Sequence, residues 1–490
     1  MDVLRDLGMV GLGDMPLEIL EDIVLSAVSF RVSSKAAELA TVNSVWQSIV
    51  ETKTFQQLRL NVDDISTAMR ILRNRPERFG LVRLILFHAI LPAYTAAECT
   101  TLETPQDRFS NDIVFSKAIN RLLTYLTGWP STGKTLELQL YAFSPTDARA
   151  LLGTRWFRYQ YGIIPGDVLH NRTYGSVLEI YSRTADKPIP AVTKLTFRDD
   201  CERYIAVSGL EHLFRIFTGL RDMDIRFWDI YKHDPDNVRQ GIRRHMAKTL
   251  DQMPKTVSSM RFNVAYYPPA DQRFQGPRTY EGEDKSDPLS VAFRKATQKM
   301  TVVDVHGMLG TPELFWPNNP ASLAPVWPNL EDMVLYYHII NPAGEWLFEP
   351  DRGPIRRIQA DLPFYDLPPE MVPDEDIRPM QNRFTPNEDM MEAFYIAIAK
   401  AVTHMPKLKH LHCQAITFWN SRIVPLHVLR VKIEDRIAHA TWSGNPPFEP
   451  TADTLKAWRM MAYERGFFLS LEARSSESHL DESNFASLRL

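Results

Sequence analysis

Cysteine is scarce in this chain. Its 490 residues hold only Cys99, Cys201 and Cys413, far apart and odd in number. Such a set makes no disulfide framework, and without a C-x-x-C pair it gives no structural zinc signature. Long apolar runs are also missing. The most apolar stretch, Leu81 to Leu91, is interrupted by Arg83 and His88 and is too short to span a bilayer. Met1 to Leu12 carries acidic residues and no long apolar core, which argues against a signal peptide. Neither sign of charge dominates: 56 Lys and Arg stand against 60 Asp and Glu, for a net charge of -4, and no basic block of five occurs. Nucleic acid and anionic membranes are therefore poor partners, and a reducing compartment, cytoplasm or nucleus, is expected. The sequence also contains no Gly-x-Ser-x-Gly elbow, His-Glu-x-x-His pair or Gly-x-Gly-x-x-Gly turn, so neither an enzyme nor a cofactor is expected.

The apolar content is ordinary at 44%, enough to fill a large core, and the length suits one small and one large unit. Residues 14 to 50 read as three short helices. Asp14 caps the first, and Pro16 sits in its first turn, where a missing N–H costs nothing. Ile19, Leu20, Ile23, Val24 and Ala27 recur at helical spacing. Ser34 is a second cap, ahead of Ala36, Ala37, Leu39 and Ala40. Val42, Val45, Trp46, Ile49 and Val50 then form the stripe of a third helix. A module this small gains stability by burying an apolar face on a partner.

The string Met15-Pro16-Leu17-Glu18-Ile19-Leu20-Glu21-Asp22-Ile23 resembles the opening of the F-box, Leu-Pro-x-Glu-Ile-Leu-x-x-Ile. Glu38-Leu39 with Val42-Asn43-Ser44-Val45-Trp46 resembles its second half, although Met15 replaces Leu and Asn43-Ser44 replace Cys-Lys. The whole arrangement is similar to filamentous-fungal F-box proteins with a long carboxy-terminal region. The resemblance implies an F-box over 12–56 that docks on a Skp-family adaptor within a cullin-based ubiquitin ligase. It implies adaptor contacts by Pro16, Leu17, Ile19, Leu20, Ile23, Leu39, Val42 and Trp46.

Beyond residue 60 an apolar-x-x-apolar-x-apolar unit recurs. Its copies are Leu81-Leu84-Leu86, Val192-Leu195-Phe197, Leu220-Met223-Ile225, Val257-Met260-Phe262, Met300-Val303-Val305, Leu330-Met333-Leu335 and Leu408-Leu411-Cys413. Thr135-Leu138-Leu140 and Ile355-Ile358-Ala360 are weaker copies. Amphipathic helical stretches precede several of them, as at Phe115 to Leu126 and Val238 to Met253. This predicts an α/β fold over 57–470: an irregular solenoid like a leucine-rich repeat with a mostly parallel sheet, or else a compact α/β domain. Loop insertions are expected near 266–288 and 341–386, and a flexible tail over 471–490. The stretch 312–386 holds 14 of the 34 prolines yet also Trp316, Trp327, Trp346, Phe364 and Tyr365, so it reads as packed irregular structure.

Strand side chains alternate, so the residues between the apolar positions belong on the opposite face of the sheet. Those expected to contact a target protein are Tyr141, Arg198, Asp224, Arg226, Arg261, Asn263, Asp304, His306 and Tyr336, with Gln139, Thr196, Gln359 and His412 beside them. Tyr and Arg among mixed charge suit protein recognition. Two other patterns carry less. Gly128-Trp129-Pro130-Ser131-Thr132-Gly133-Lys134-Thr135 matches the P-loop string, but a helix precedes it and a strand follows, the reverse of what phosphate binding needs. His410 and His412 share a strand face near His404 and Cys413, without a further ligand to complete a metal site. The expected function is a target receptor of a ubiquitin ligase. The alternatives are an interaction scaffold outside ubiquitin ligation and, remotely, a nucleotide-binding protein.

Overall fold

The computed structural model describes residues 38–95, 101–130, 132–146, 176–181, 187–197, 203–228, 236–265, 286–350, 383–419, 422–444 and 448–475, with a few single positions between them. From the amino end come α1 (Ser44–Gln56), β1 (Gln57–Asn61), α2 (Asp64–Asn74), β2 (Leu84–Ile90), α3 (Pro105–Leu126), β3 (Leu136–Phe143) and β4 (Val177–Leu178). They are followed by β5 (Val192–Phe197), β6 (Tyr204–Ile205), α4 (Val207–Ile216), β7 (Asp222–Trp228), α5 (Asp236–Asp251), β8 (Ser259–Ala265), α6 (Pro288–Thr297) and β9 (Val302–Leu309). The rest is β10 (Asp332–His338), β11 (Phe348–Pro350), β12 (Arg383–Pro386), α7 (Glu388–Thr403), β13 (His410–Trp419), β14 (Arg422–Glu434), β15 (Ile437–Gly444), α8 (Ala452–Arg465) and β16 (Phe468–Ser475).

The fold is α/β, built on a large, mostly parallel sheet. Twelve strands stand in the order β1-β2-β3-β5-β7-β8-β9-β10-β13-β14-β15-β16, so neighbours in the sheet are also successive in the chain. The four strands left out form two ribbons, β4 with β6 and β11 with β12. Pairing is parallel from β1 to β13, antiparallel through β13, β14 and β15, and parallel again between β15 and β16. Parallel neighbours need crossovers, and right-handed crossovers running in one direction put their helices on one face. Accordingly α4 packs on α5, α5 on α6, and α7 on α8.

The apolar unit explains why these segments become strands. Met223, Ile225, Met260, Phe262, Val303, Val305, Met333, Leu335, Leu411 and Cys413 are all buried in one continuous core under the helices. Each full burial of such a side chain stabilises by roughly 1.5–3 kcal/mol. In β3 the alternation is complete: Leu136, Leu138, Leu140 and Ala142 are buried and the residues between them half-exposed.

One copy is out of phase. The inward residues of β2 are Ile85 and Phe87, which pair with Leu138 and Leu140, and Val82 is buried just before them. Leu84 and Leu86 therefore belong to the other face, one residue off the expected unit Leu81-Leu84-Leu86. The string Leu81-Val82-Arg83-Leu84-Ile85-Leu86-Phe87 is apolar in both phases, so only pairing with β3 sets its register.

Helix ends follow from local chemistry. Thr104 and Asp107 form a reciprocal capping box at the start of α3. Asn387 caps α7 and Thr451 caps α8, which stops at Gly466 in the left-handed region (φ 65°). In the proline-rich stretch Trp327 is fully buried, and its indole N–H donates to Thr297 Oγ1 at 3.0 Å. Trp346 is buried as well, whereas Phe364, Tyr365, the weak copy at Ile355 and most of 266–288 lie outside the described residues. The last strand runs to Ser475, past residue 471 where the sequence pattern starts a tail.

Candidate protein-recognition face

The register brings nearly all of the expected face residues together. One row crosses the whole sheet: Arg59, Leu86, Gln139, Thr196, Asp224, Arg261, Asp304, Val334, His412, Arg430, Thr441 and Glu472. The next row begins Asn61, His88, Tyr141 and resumes at Arg226, Asn263, His306, Tyr336 and Gln414. Arg198 and Gln359 lie outside the described residues. Gln414, His88 and Arg430 are on this face without having been expected there.

The side chains form a laterally connected band. Arg261 Nε donates to Asp304 Oδ2 at 2.8 Å, and its guanidinium lies 3.7 Å from Asp224. His306 Nε2 is 3.0 Å from Asp304 Oδ1, and its ring stacks on Tyr336 with centroids 4.3 Å apart. Tyr336 in turn leans on His412 at 5.5 Å, and His412 Nε2 is 3.0 Å from Gln414 Oε1. Towards the amino end His88 meets Tyr141 edge-on at 4.9 Å, and the Tyr141 hydroxyl donates to Gln139 Oε1 at 3.2 Å. Glu137 accepts from Gln139, Thr196 and Lys194.

The electrostatics follow from this packing. Desolvation pushes the Asp304 carboxyl up, but hydrogen bonding and charge from His306 and Arg261 outweigh it and hold the group below the usual carboxylate range. Desolvation also raises the Tyr336 phenol, with the Asp304 charge adding to it, so the hydroxyl keeps its proton at neutral pH. Burial lowers the His412 imidazole despite its Gln414 partner, and the nearby Arg430 charge acts in the same direction, so this ring is neutral near pH 7. Arg261 is 61% exposed. Exposed pairs of this sort contribute only about 0.2–1 kcal/mol each. The core under the helices holds the sheet together, and the exposed pairs of this band add little to it.

No family model matches the chain. No curated protein matches it either.

At the amino end Pro16, Leu17, Ile19, Leu20 and Ile23 lie outside the described residues. Trp46, Ile49 and Val50 are buried together, with Leu39 and Ala40 packed against them. Val42, expected on the stripe of the third helix, instead precedes it and is 57% exposed. The reason is Asn43, whose side chain accepts the Trp46 N–H at 2.9 Å and starts α1 at Ser44. Val45 is 43% exposed beside it. The helix leads directly into β1. It is tied to the large unit by Glu51, which takes 2.6 and 3.1 Å bonds from Arg78, and that bonding holds its carboxyl below the usual range.

The remaining sequence patterns resolve by position. The 128–135 string joins the end of α3 to the start of β3 and does not open a helix, so the backbone donors of a phosphate loop are not assembled there. His410 pairs with Asp332 at 2.7 Å, His404 lies against Trp316, and Cys413 is buried with its thiol pushed up by desolvation. Among the described residues no cluster of His, Cys, Asp and Glu could hold a metal ion, and no helix is long and apolar enough to cross a membrane.

Proposed function

We propose that this chain is the target receptor of an Skp–cullin–F-box ubiquitin ligase. In this reading the amino-terminal module docks on a Skp-family adaptor and the open sheet face holds a target protein. The chemistry of ubiquitin transfer belongs to other subunits; this chain supplies a raised effective concentration of the target. The large unit is read as an irregular solenoid of the leucine-rich-repeat kind, because sheet order follows chain order and each strand leans only on its neighbours.

The observation that carries the reading is the band from Gln139 to His412, in which Tyr, His, Arg and Asp side chains lie side by side and are partly or fully exposed. Polar and aromatic groups already held by one another lose little freedom on binding, which favours a partner. The exposed Val42 and Val45 beside the buried Trp46 support the adaptor contact, as does the F-box pattern at Pro16, Glu18, Ile19 and Leu20.

Affinity purification with mass spectrometry tests the reading on the full chain. The native protein should bring down adaptor, cullin and target. Leu20→Asp with Ile23→Asp places two charges in an apolar contact, at a cost on the order of 3 kcal/mol or more. Adaptor and cullin should vanish while target capture remains, with circular dichroism reporting that the variant is folded. A native chain that captures no Skp-family adaptor ends the ligase reading.

A further inference from the structure

The recognition band is not uniform along the sheet. Over β7 to β9 its charges neutralise each other, with Arg261 held between Asp224 and Asp304. Over β13, β14 and β15 the balance changes. There one row reads His410, Lys432, His439 and the next His412, Arg430, Thr441, six positions without an acid, bordered by Asp332 on β10 and Glu472 on β16. His410 is held by Asp332 at 2.7 Å and Lys432 by Glu434 at 2.9 Å, all four side chains being exposed. Arg430 is exposed and has no ion-pair partner among the described residues. His412 is its partner across the strand pair, and Tyr336 stands on the same face.

We propose that this patch holds a carboxylate-rich extended segment of the target protein, an inference that rests on the target-receptor reading of the open face. Arg430 and Lys432 lie two positions apart on β14 and point to the same face. Two residues of strand advance roughly 6.6 Å. An extended peptide repeats its own side chains at that interval, so acidic residues at alternate positions meet both cations in register. Arg430 takes a carboxylate through paired N–H donors, and the Tyr336 hydroxyl is a further donor on the same face. An acidic partner also fits the exposed pairs to Asp332 and Glu434, which are weak enough for an incoming carboxylate to compete with them. Nucleic acid fits less well, because a phosphate backbone carries a charge on every unit and must also face Asp332 and Glu434, whereas a peptide with acids at alternate positions can place them opposite Arg430 and Lys432.

The test uses the purified full chain and fluorescein-labelled peptides of alternating Glu-Ser, Gln-Ser and Lys-Ser, with a single-stranded oligonucleotide as a further probe. Fluorescence anisotropy should show the Glu-Ser peptide binding at least about tenfold more tightly than the Gln-Ser peptide, with affinity falling as salt rises. Arg430→Glu should abolish that preference, while Arg121→Glu, an exposed change on α3, leaves it intact. If Arg430→Glu fails to fold, Arg430→Gln should still cut the affinity several-fold. Equal binding of the Glu-Ser and Gln-Ser peptides, a preference undiminished in Arg430→Gln, or tighter binding of the oligonucleotide overturns the proposal. Adaptor binding measured on the same preparations separates the two readings: its loss alone strikes the ligase assignment and leaves the acidic-segment site standing.

Discussion

The stretch from β1 to β13 and the carboxy-terminal end beyond it use the same sheet in different ways. In the first, every strand of the sheet is parallel to its neighbour, so the chain must cross back to the same end before each new strand begins. In the second, β14 returns directly to β15 through Asp435 and Arg436, both with positive φ (47° and 64°), while Glu434 pairs with Ile437. That is a two-residue hairpin of the kind usually made by Asn-Gly. A crossover leaves a helix-then-strand signature in the sequence. A hairpin leaves only its turn, and this turn lacks the glycine that announces one. The difference teaches that the two parts of one sheet can be held by different means: interlocked helices in the parallel part, and a local turn together with the packing of α8 on α7 in the other.

Breaking the interlock should have the largest effect. Arg243 on α5 grips Asp287 at the start of α6 through two bonds of 2.7 and 2.9 Å, with both side chains fully buried. Asp287→Ala leaves that guanidinium without its carboxylate and should cost about 3–5 kcal/mol in urea unfolding. Hydrogen exchange should then rise first at β8 and β9, not at the hairpin. Burial pushes the Asp287 carboxyl up, but Arg243 and Ser290 outweigh it and hold the group below its ordinary value. The pair's contribution is therefore complete above the unfolded value, about 4, and is lost as pH falls through the lower folded value. The native chain should lose stability on acidification in a way that Asp287→Ala does not.

A smaller loss is expected at Gly307, the extra residue where the register between β9 and β10 shifts. It has φ 80°, and an added Cβ would lie 1.8 Å from the Val264 carbonyl oxygen. Gly307→Ala should destabilise by on the order of 3 kcal/mol and disturb the His306–Tyr336 stack, read as a change in near-ultraviolet circular dichroism. The smallest effect lies in the hairpin and has the opposite sign. Arg436→Gly relieves a left-handed non-glycine residue and should raise stability by about 1 kcal/mol, seen as a higher Tm. A lower Tm would mean that the Arg436 side chain contributes more than its backbone strain costs.

Much of the parallel part was legible because its pattern reports both burial and direction. Met223-x-Ile225, Met260-x-Phe262 and Val303-x-Val305 could only be inward pairs, so Asp224, Arg261 and Asp304 were placed on the far face correctly. The copy at Leu81 failed because both phases of that string are apolar, and with the phase went His88, which the slip would turn inward. Arg430 was missed for a different reason. Its strand follows another strand with no helix between them, so the repeat that flags the others is absent. Val42 shows the limit of periodicity alone: the spacing was helical, but the capping chemistry of Asn43 decided where the helix began.

In the twelve-stranded sheet each strand pairs only with those beside it, in an order that follows the chain, so the number of strands is an adjustable quantity. Gain or loss of a strand with its crossover would change the width of the sheet at one place in the order and leave the pairings of distant strands as they are. On the proposed receptor reading, the Glu51–Arg78 contact would mark one end of that sheet, and the strand count would set how far from it a bound segment lies.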